Sequence, residues 1–165
     1  EISIFTKSGL KKNLSNKDLN FSYRNSNLSD NDIVTSAIFK GEFGEKNEIE
    51  SKIKEIKLIR ETSQPIKTKT GGSTFKNPKG RFAAKLIELA DCKGLTFGDA
   101  AVSTKHSNFL VNLGKATAKD IETLGKIIQE KVMKKLNIFL EWEIKIIGED
   151  IKGKYDELSN IDYIK

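Results

Sequence analysis

Apolar residues recur along this chain in two distinct rhythms, and the rhythms set out its elements. Ile2, Ile4 and Phe5 begin a short strand, Lys7-Ser8-Gly9 is a turn, and Leu10 to Leu14 pairs back as a hairpin. Ser15 to Leu19 reads as a small capped helical turn, and Ile33 to Phe39 as a β-branched strand closed by Gly41 and Gly44. From Glu45 to Arg60 the period lengthens. Ile49, Ile53, Ile56 and Ile59 fall at helical spacing, with Glu45 and Glu48 at the end where the helix dipole favours acids. Gln64-Pro65 breaks that helix. A second helix is predicted over Arg81 to Cys92, with Phe82, Leu86 and Leu89 on one face and Gly94 as its terminator.

Leu95 to Ser103 contains two glycine-interrupted apolar segments of strand character, and Ser107 to Asn112 another strand. Thr117-Ala118-Lys119-Asp120 resembles a capping box that opens the longest helix, whose buried stripe is Ile121, Leu124, Ile128, Val132 and Leu136. A final strand is predicted from Ile138 to Ile147. In it Leu140, Trp142, Ile144 and Ile146 face one way, and Glu141, Glu143 and Lys145 the other. Strands and helices that mix without strict alternation predict an α+β fold.

Composition narrows the chemistry. The 165 residues suffice for one ordinary domain or two small ones. The net charge of +6 admits nucleic acid, an anionic membrane surface or a phosphorylated small molecule as partner. The lysines are interspersed with glutamates, as in KNEIESKIKEIK, which is the pattern of a solvated face. Dispersed lysines with few aromatics argue against a nucleic-acid module, and no apolar run is long enough to span a bilayer. A single cysteine, Cys92, excludes an intrachain disulfide, and a single histidine, His106, leaves no zinc constellation. The chain begins Glu-Ile-Ser-Ile, without a leader pattern and without methionine, as expected of a processed chain or part of a longer polypeptide.

One stretch concentrates functional groups. Gly71 to Pro78 reads GGSTFKNP, which joins two glycines, two hydroxyls, a lysine and an amide in what is expected to be an ordered, exposed turn. Taken alone it is as well explained by a structural turn.

Four segments then occur in an order that carries a resemblance: YRNS at Tyr23 to Ser26, QPIKTKTGGSTFKNP at Gln64 to Pro78, GDAAVSTKHSNFLVN from Gly98 to Asn112, and LEWEIKIIGE from Leu140 to Glu149. Together they closely resemble the UDP-N-acetylenolpyruvoylglucosamine reductases, the MurB flavoenzymes of bacterial cell-wall synthesis. The resemblance implies FAD and NADPH as cofactors. It also implies a reaction that reduces UDP-N-acetylglucosamine enolpyruvate to UDP-N-acetylmuramate through a dianionic enolate.

By the same resemblance, Ser73 donates the proton, Arg24 grips the substrate carboxylate and a protonated Glu143 completes the enolate clamp. Substrate contacts fall to Asn77, Gly72, Lys76, His106 and Tyr23, and the diphosphate meets one of Arg60, Lys67 and Lys69. The family's glycine-rich FAD-pyrophosphate segment has no counterpart in this chain. The expected organisation is therefore residues 1–63 as the rest of a flavin-binding domain, 64–149 as a substrate-binding domain and 150–165 as a polar tail. Such a chain is not expected to bind FAD or turn over by itself. The short interval between Arg24 and Ser73 resembles the family branch that lacks an inserted tyrosine-bearing loop. A soluble, cytoplasmic monomer with neither nucleic-acid nor membrane partner is expected. A UDP-sugar binder without chemistry is the rival reading, and retention of Arg24, Ser73 and Glu143 together argues against it.

Overall fold

The computed structural model describes residues 1–148, so the expected polar tail lies outside the described residues. The chain divides into two compact units between Ser51 and Lys52. In the first, β1 (Ile2–Phe5), β2 (Lys11–Leu14) and, after α1 (Asn16–Leu19), β3 (Ile33–Ala37) form an antiparallel sheet in the order β2-β1-β3. The predicted hairpin is present, and Gly9 supplies its turn with φ +79°. A register shift at Ser3/Ile4 marks a bulge against β3. Ser15 caps α1 as half of a capping box with Asp18, and the Ser15 hydroxyl and N–H hold that carboxyl below the usual carboxylate range. Ile4 and Leu19 are the buried apolar side chains of this unit; all of β3 is exposed.

Helix α2 (Lys46–Ser63) forms where the isoleucine period predicts it, but none of its residues is buried. Its stripe of Ile49, Ile53, Ile56 and Ile59 stays open to solvent.

The second unit contains β4 (Lys69–Ser73), α3 (Ala83–Leu89), β5 (Thr96–Phe97), β6 (Ala100–Val102), β7 (Phe109–Asn112) and α4 (Ala118–Leu136). The strands pair antiparallel in the order β4-β7-β6-β5. Alternation along β6 and β7 sends Ala100, Val102 and Leu110 into the core, which α3 and α4 complete with Leu86, Ile87, Leu124, Ile128 and Val132. Leu124, Ile128 and Val132 are fully buried, each contributing about 1.5–3 kcal/mol. Ala101 and Val111 instead border a cavity of about 730 Å³, walled also by Leu58, Pro65, Ile66 and Lys105.

Helix α4 follows its sequence signals closely. Thr117 Oγ1 accepts from Asp120 N at 3.1 Å, and the Asp120 carboxylate accepts from Thr117 N at 2.8 Å. Asn137 ends the helix in the left-handed region, φ +53°, where asparagine is the usual substitute for glycine.

Three expectations change. Helix α3 turns Ala83, Leu86 and Ile87 inward, while Phe82 and Leu89 remain exposed, because the sheet selects a face about one residue away from the predicted one. Ala90 caps it and Asp91 takes the left-handed position (φ +55°), so the chain has already left the helix before Gly94. The expected strand from Ile138 to Ile147 is not a ladder. It makes one isolated bridge, Phe75↔Trp142, although Leu140 is buried and Trp142 packs on the core as the alternation requires. Among the described residues no helix is long and apolar enough to cross a membrane.

Candidate active site

The GGSTFKNP stretch is the seam of the second unit. β4 pairs with β7 through Lys69↔Asn112 and Thr70↔Val111, loses register across the two glycines, and resumes at Ser73↔Phe109. Gly72 sits at φ +89°, a conformation that a side chain resists, so the shift depends on glycine there. A bulge of this kind re-aims the residue that follows it, and that residue is Ser73. Its side chain is half-buried, and its hydroxyl makes no hydrogen bond among the described residues.

The next two residues anchor it. Thr74 and Phe75 are both buried. Thr74 N donates to Asn108 O at 2.8 Å, and Thr74 Oγ1 accepts from Leu110 N at 3.3 Å. Asn108 holds Phe75 at both ends: its Oδ1 accepts from Phe75 N at 3.0 Å and its Nδ2 donates to Phe75 O at 2.8 Å. Asn108 is itself buried, so this two-point grip is a local substitute for a strand partner.

The segment from Leu140 closes over the same residues. Glu143 N donates to Thr74 O at 2.8 Å, Lys76 N donates to Glu141 O at 2.8 Å, and the Phe75 and Trp142 rings stand 4.9 Å apart. Glu143, seventy residues from Ser73 in sequence, is thereby fixed by its main chain to the residue beside Ser73. One carboxylate oxygen of Glu143, Oε2, is buried.

The other expected site residues divide. Lys76 Nζ reaches Glu141 Oε2 at 3.2 Å in an exposed pair worth about 0–1 kcal/mol. Asn77 Oδ1 accepts from Ala83 N at 2.9 Å and so caps α3 from six residues upstream, which compensates for Phe82, an N-cap residue without a capping side chain. His106 is half-buried; its Nδ1 accepts from Asn108 N at 3.3 Å and its ring meets Phe109 edge-on at 4.7 Å. Burial pushes the imidazole pKa down, outweighing the opposing influence of its backbone hydrogen bond and Glu88. Arg60 Nε donates to Gln64 Oε1 at 3.4 Å, whereas Lys67 lines the cavity and Lys69 is exposed on β4.

Tyr23 and Arg24 belong to the first unit. They occupy the two central positions of a tight turn closed by mutual Ser22 and Asn25 main-chain bonds of 3.0 and 3.2 Å. Arg24 has φ +55°, strained for a side-chain-bearing residue, and its guanidinium carbon lies 5.5 Å from the centre of the Tyr23 ring. The left-handed backbone of Arg24 is a feature that the sequence does not reveal. Asn108 was not singled out by sequence reasoning either; a buried asparagine between Ser107 and Phe109 was its only trace.

Among the described residues no cluster could hold a metal ion. Nor do they offer a glycine-rich cradle for a dinucleotide pyrophosphate. Glu45 adjoins the start of α2, a capping box occupies that of α4, and Asn77 takes that of α3.

Comparison with known proteins gives these features a family. Residues 64–147, just over half of the chain, match the model of the UDP-N-acetylenolpyruvoylglucosamine reductase C-terminal domain. The UDP-N-acetylenolpyruvoylglucosamine reductase of Gluconobacter oxydans is 46% identical over 92% of this chain and 49% of its own length. That of Rhodopseudomonas palustris (strain BisB5) is 47% identical over 90% and 48%. The crystal structure of the reductase MurB from Thermus caldophilus superposes with a TM-score of 0.73 at 39% identity, covering 86% of this chain and 51% of that one. The chain thus spans about half the length of the relatives it matches. A bulged serine, a strained arginine and a glutamate tied beside the serine all fall in segments shared with these proteins, and the chain belongs to the UDP-N-acetylenolpyruvoylglucosamine reductase family.

Proposed function

We propose that this chain comprises the rest of a flavin-binding part and the substrate domain of a UDP-N-acetylenolpyruvoylglucosamine reductase acting in peptidoglycan precursor synthesis. The observation that carries the reading is the 2.8 Å bond from Glu143 N to Thr74 O, which joins two distant family segments beside Ser73. Residues 1–63 are assigned to the rest of a flavin-binding part, residues 64–149 to the substrate domain and residues 150–165 to a polar tail.

The reaction adds a hydride and a proton across the enol-ether double bond of UDP-N-acetylglucosamine enolpyruvate. When bound, FAD with NADPH as reductant would supply the hydride, and the described residues offer no cradle for its pyrophosphate. As the terminal carbon gains hydride, the double-bond electrons move onto the carbon that bears the carboxylate, forming a dianionic enolate. The Ser73 hydroxyl then gives its proton to that carbon, and solvent restores the hydroxyl. Arg24 offers a planar two-point partner for the carboxylate. Glu143 donates to the enolate, and an anionic substrate beside it favours the protonated form that can donate. Asn77, Gly72, Lys76, His106 and Tyr23 are assigned to substrate contact, with Arg60, Lys67 or Lys69 at the diphosphate.

The test is rapid mixing on the natural full-length polypeptide. Its flavin is reduced with NADPH, UDP-N-acetylglucosamine enolpyruvate is added without oxygen, and oxidised-flavin absorbance is followed. Prompt reoxidation is expected. Bound flavin that ignores the substrate, or no bound flavin, would overturn the proposal in favour of a UDP-sugar binder.

A further inference from the structure

Helix α4 carries a glycine in its interior, Gly125, where alanine would stabilise the helix by about 1 kcal/mol. The space above it is occupied by the far edge of the Trp142 indole. A Cβ at position 125 would collide with Trp142 Cη2 and would lie only 2.7 Å from Cζ3 and 3.1 Å from Cζ2. One turn further along the same helix face, Gln129 Nε2 donates to Leu140 O at 2.7 Å. Thus α4 grips the closing segment at two alternate residues, Leu140 by its main chain and Trp142 by its ring.

Trp142 is constrained by a second set of contacts. Its ring packs against Phe75, which is buried and held at both N–H and C=O by Asn108. The main chain of the residue after it, Glu143, bonds to Thr74. A Trp142 displaced from α4 must therefore move Phe75, Glu143 or both.

We infer that Gly125 is a positioning residue for the reductase site: by admitting the Trp142 indole against α4, it sets where Glu143 stands relative to Ser73. This inference rests on the roles assigned to Ser73 and Glu143 above. A glycine kept only for helix packing would affect stability alone. A glycine that sets a catalytic distance affects turnover more than substrate binding, and its effect depends on the size of residue 142.

A double-mutant cycle in the full-length flavoenzyme separates the two. The variants are Gly125→Ala, Trp142→Phe and the pair together, compared by kcat, by KM for UDP-N-acetylglucosamine enolpyruvate and by thermal unfolding. Gly125→Ala is expected to lower kcat about 100-fold, as an ångström-scale misplacement does, with KM within about threefold. In the phenylalanine background, whose ring does not reach the crowded position, the same change is expected to be near neutral. Trp142 is the sole tryptophan of this chain, and in the full-length enzyme its emission, taken as the difference from the Trp142→Phe variant, should shift to the red in Gly125→Ala. Equal, additive losses in both backgrounds, or an unshifted emission, would overturn the inference. If Gly125→Ala does not fold, Trp142→Phe and the pair decide: a pair much slower than Trp142→Phe overturns it, and equal rates support it. An inactive parent defeats the reductase reading and this inference with it; an active parent with additive losses defeats this inference alone.

Discussion

Replacing Asn108 with alanine removes the two-point grip on Phe75. Both bonded groups, Phe75 N–H and C=O, belong to a residue with 1% exposure, and Asn108 itself is 4% exposed. Water does not take the place of the lost amide without opening the core. Each stranded group costs about 1–3 kcal/mol, so the pair amounts to about 2–6 kcal/mol. In a unit of this size, 1 kcal/mol shifts Tm by about 4–8 °C, so the loss reaches at least about 8 °C. Asn108→Asp should cost less than alanine at the Phe75 N–H, where an acceptor remains, while losing the donor to Phe75 O. Urea denaturation followed by the Trp142 emission reads the effect directly, since that ring lies against Phe75. An alanine variant within about 0.5 kcal/mol of the parent would show that the grip is ornamental and refute the reasoning.

Two further outcomes follow from local structure. Thr117→Ala should cost about 1 kcal/mol in chemical denaturation, because it strands the Asp120 N–H at the start of α4; a loss below about 0.3 kcal/mol would contradict the capping role. His106 binds its proton less readily folded than unfolded, so the unfolded chain takes up more protons as pH falls. Its contribution to stability is therefore full above about pH 6.5 and declines below it, and His106→Gln should flatten the stability profile between about pH 5 and 7. An unchanged profile would remove His106 as the cause.

Signals that act locally were legible in the sequence. The α4 stripe and its capping box needed only the spacing of side chains along one helix; the box is present, and Leu124, Ile128 and Val132 are buried as read, while Ile121 and Leu136 are half-buried at the two ends. The hairpin of β1 and β2 was equally local. Periodicity defines an apolar face but not what lies on it, which is why α2 matches its pattern and yet buries none of its isoleucines. The relatives are about twice as long as this chain. On α3 the sheet chose Ala83 and Ile87 over the larger Phe82 and Leu89.

Within the site, GGSTFKNP read as an exposed turn, whereas Gly71 to Ser73 end β4 and Thr74 and Phe75 are buried; the pairing of Glu143 with Thr74 was not readable either. A strand pattern predicts a ladder. The 140–144 segment meets instead an irregular stretch that Asn108 holds from its far side, so a single bridge forms. Asn77 shows the converse limit: the resemblance suggests a substrate contact, and what the fold shows is its side-chain amide oxygen capping α3.

The most direct measurement of the central claim is a single-turnover count of UDP-N-acetylmuramate formed by the full-length enzyme and by its Ser73→Ala variant. Both should hold the substrate with similar affinity, and the variant should form product about 100- to 10,000-fold more slowly, the usual reach of a general acid. A variant that protonates the product within threefold of the parent rate would show that the proton comes from elsewhere.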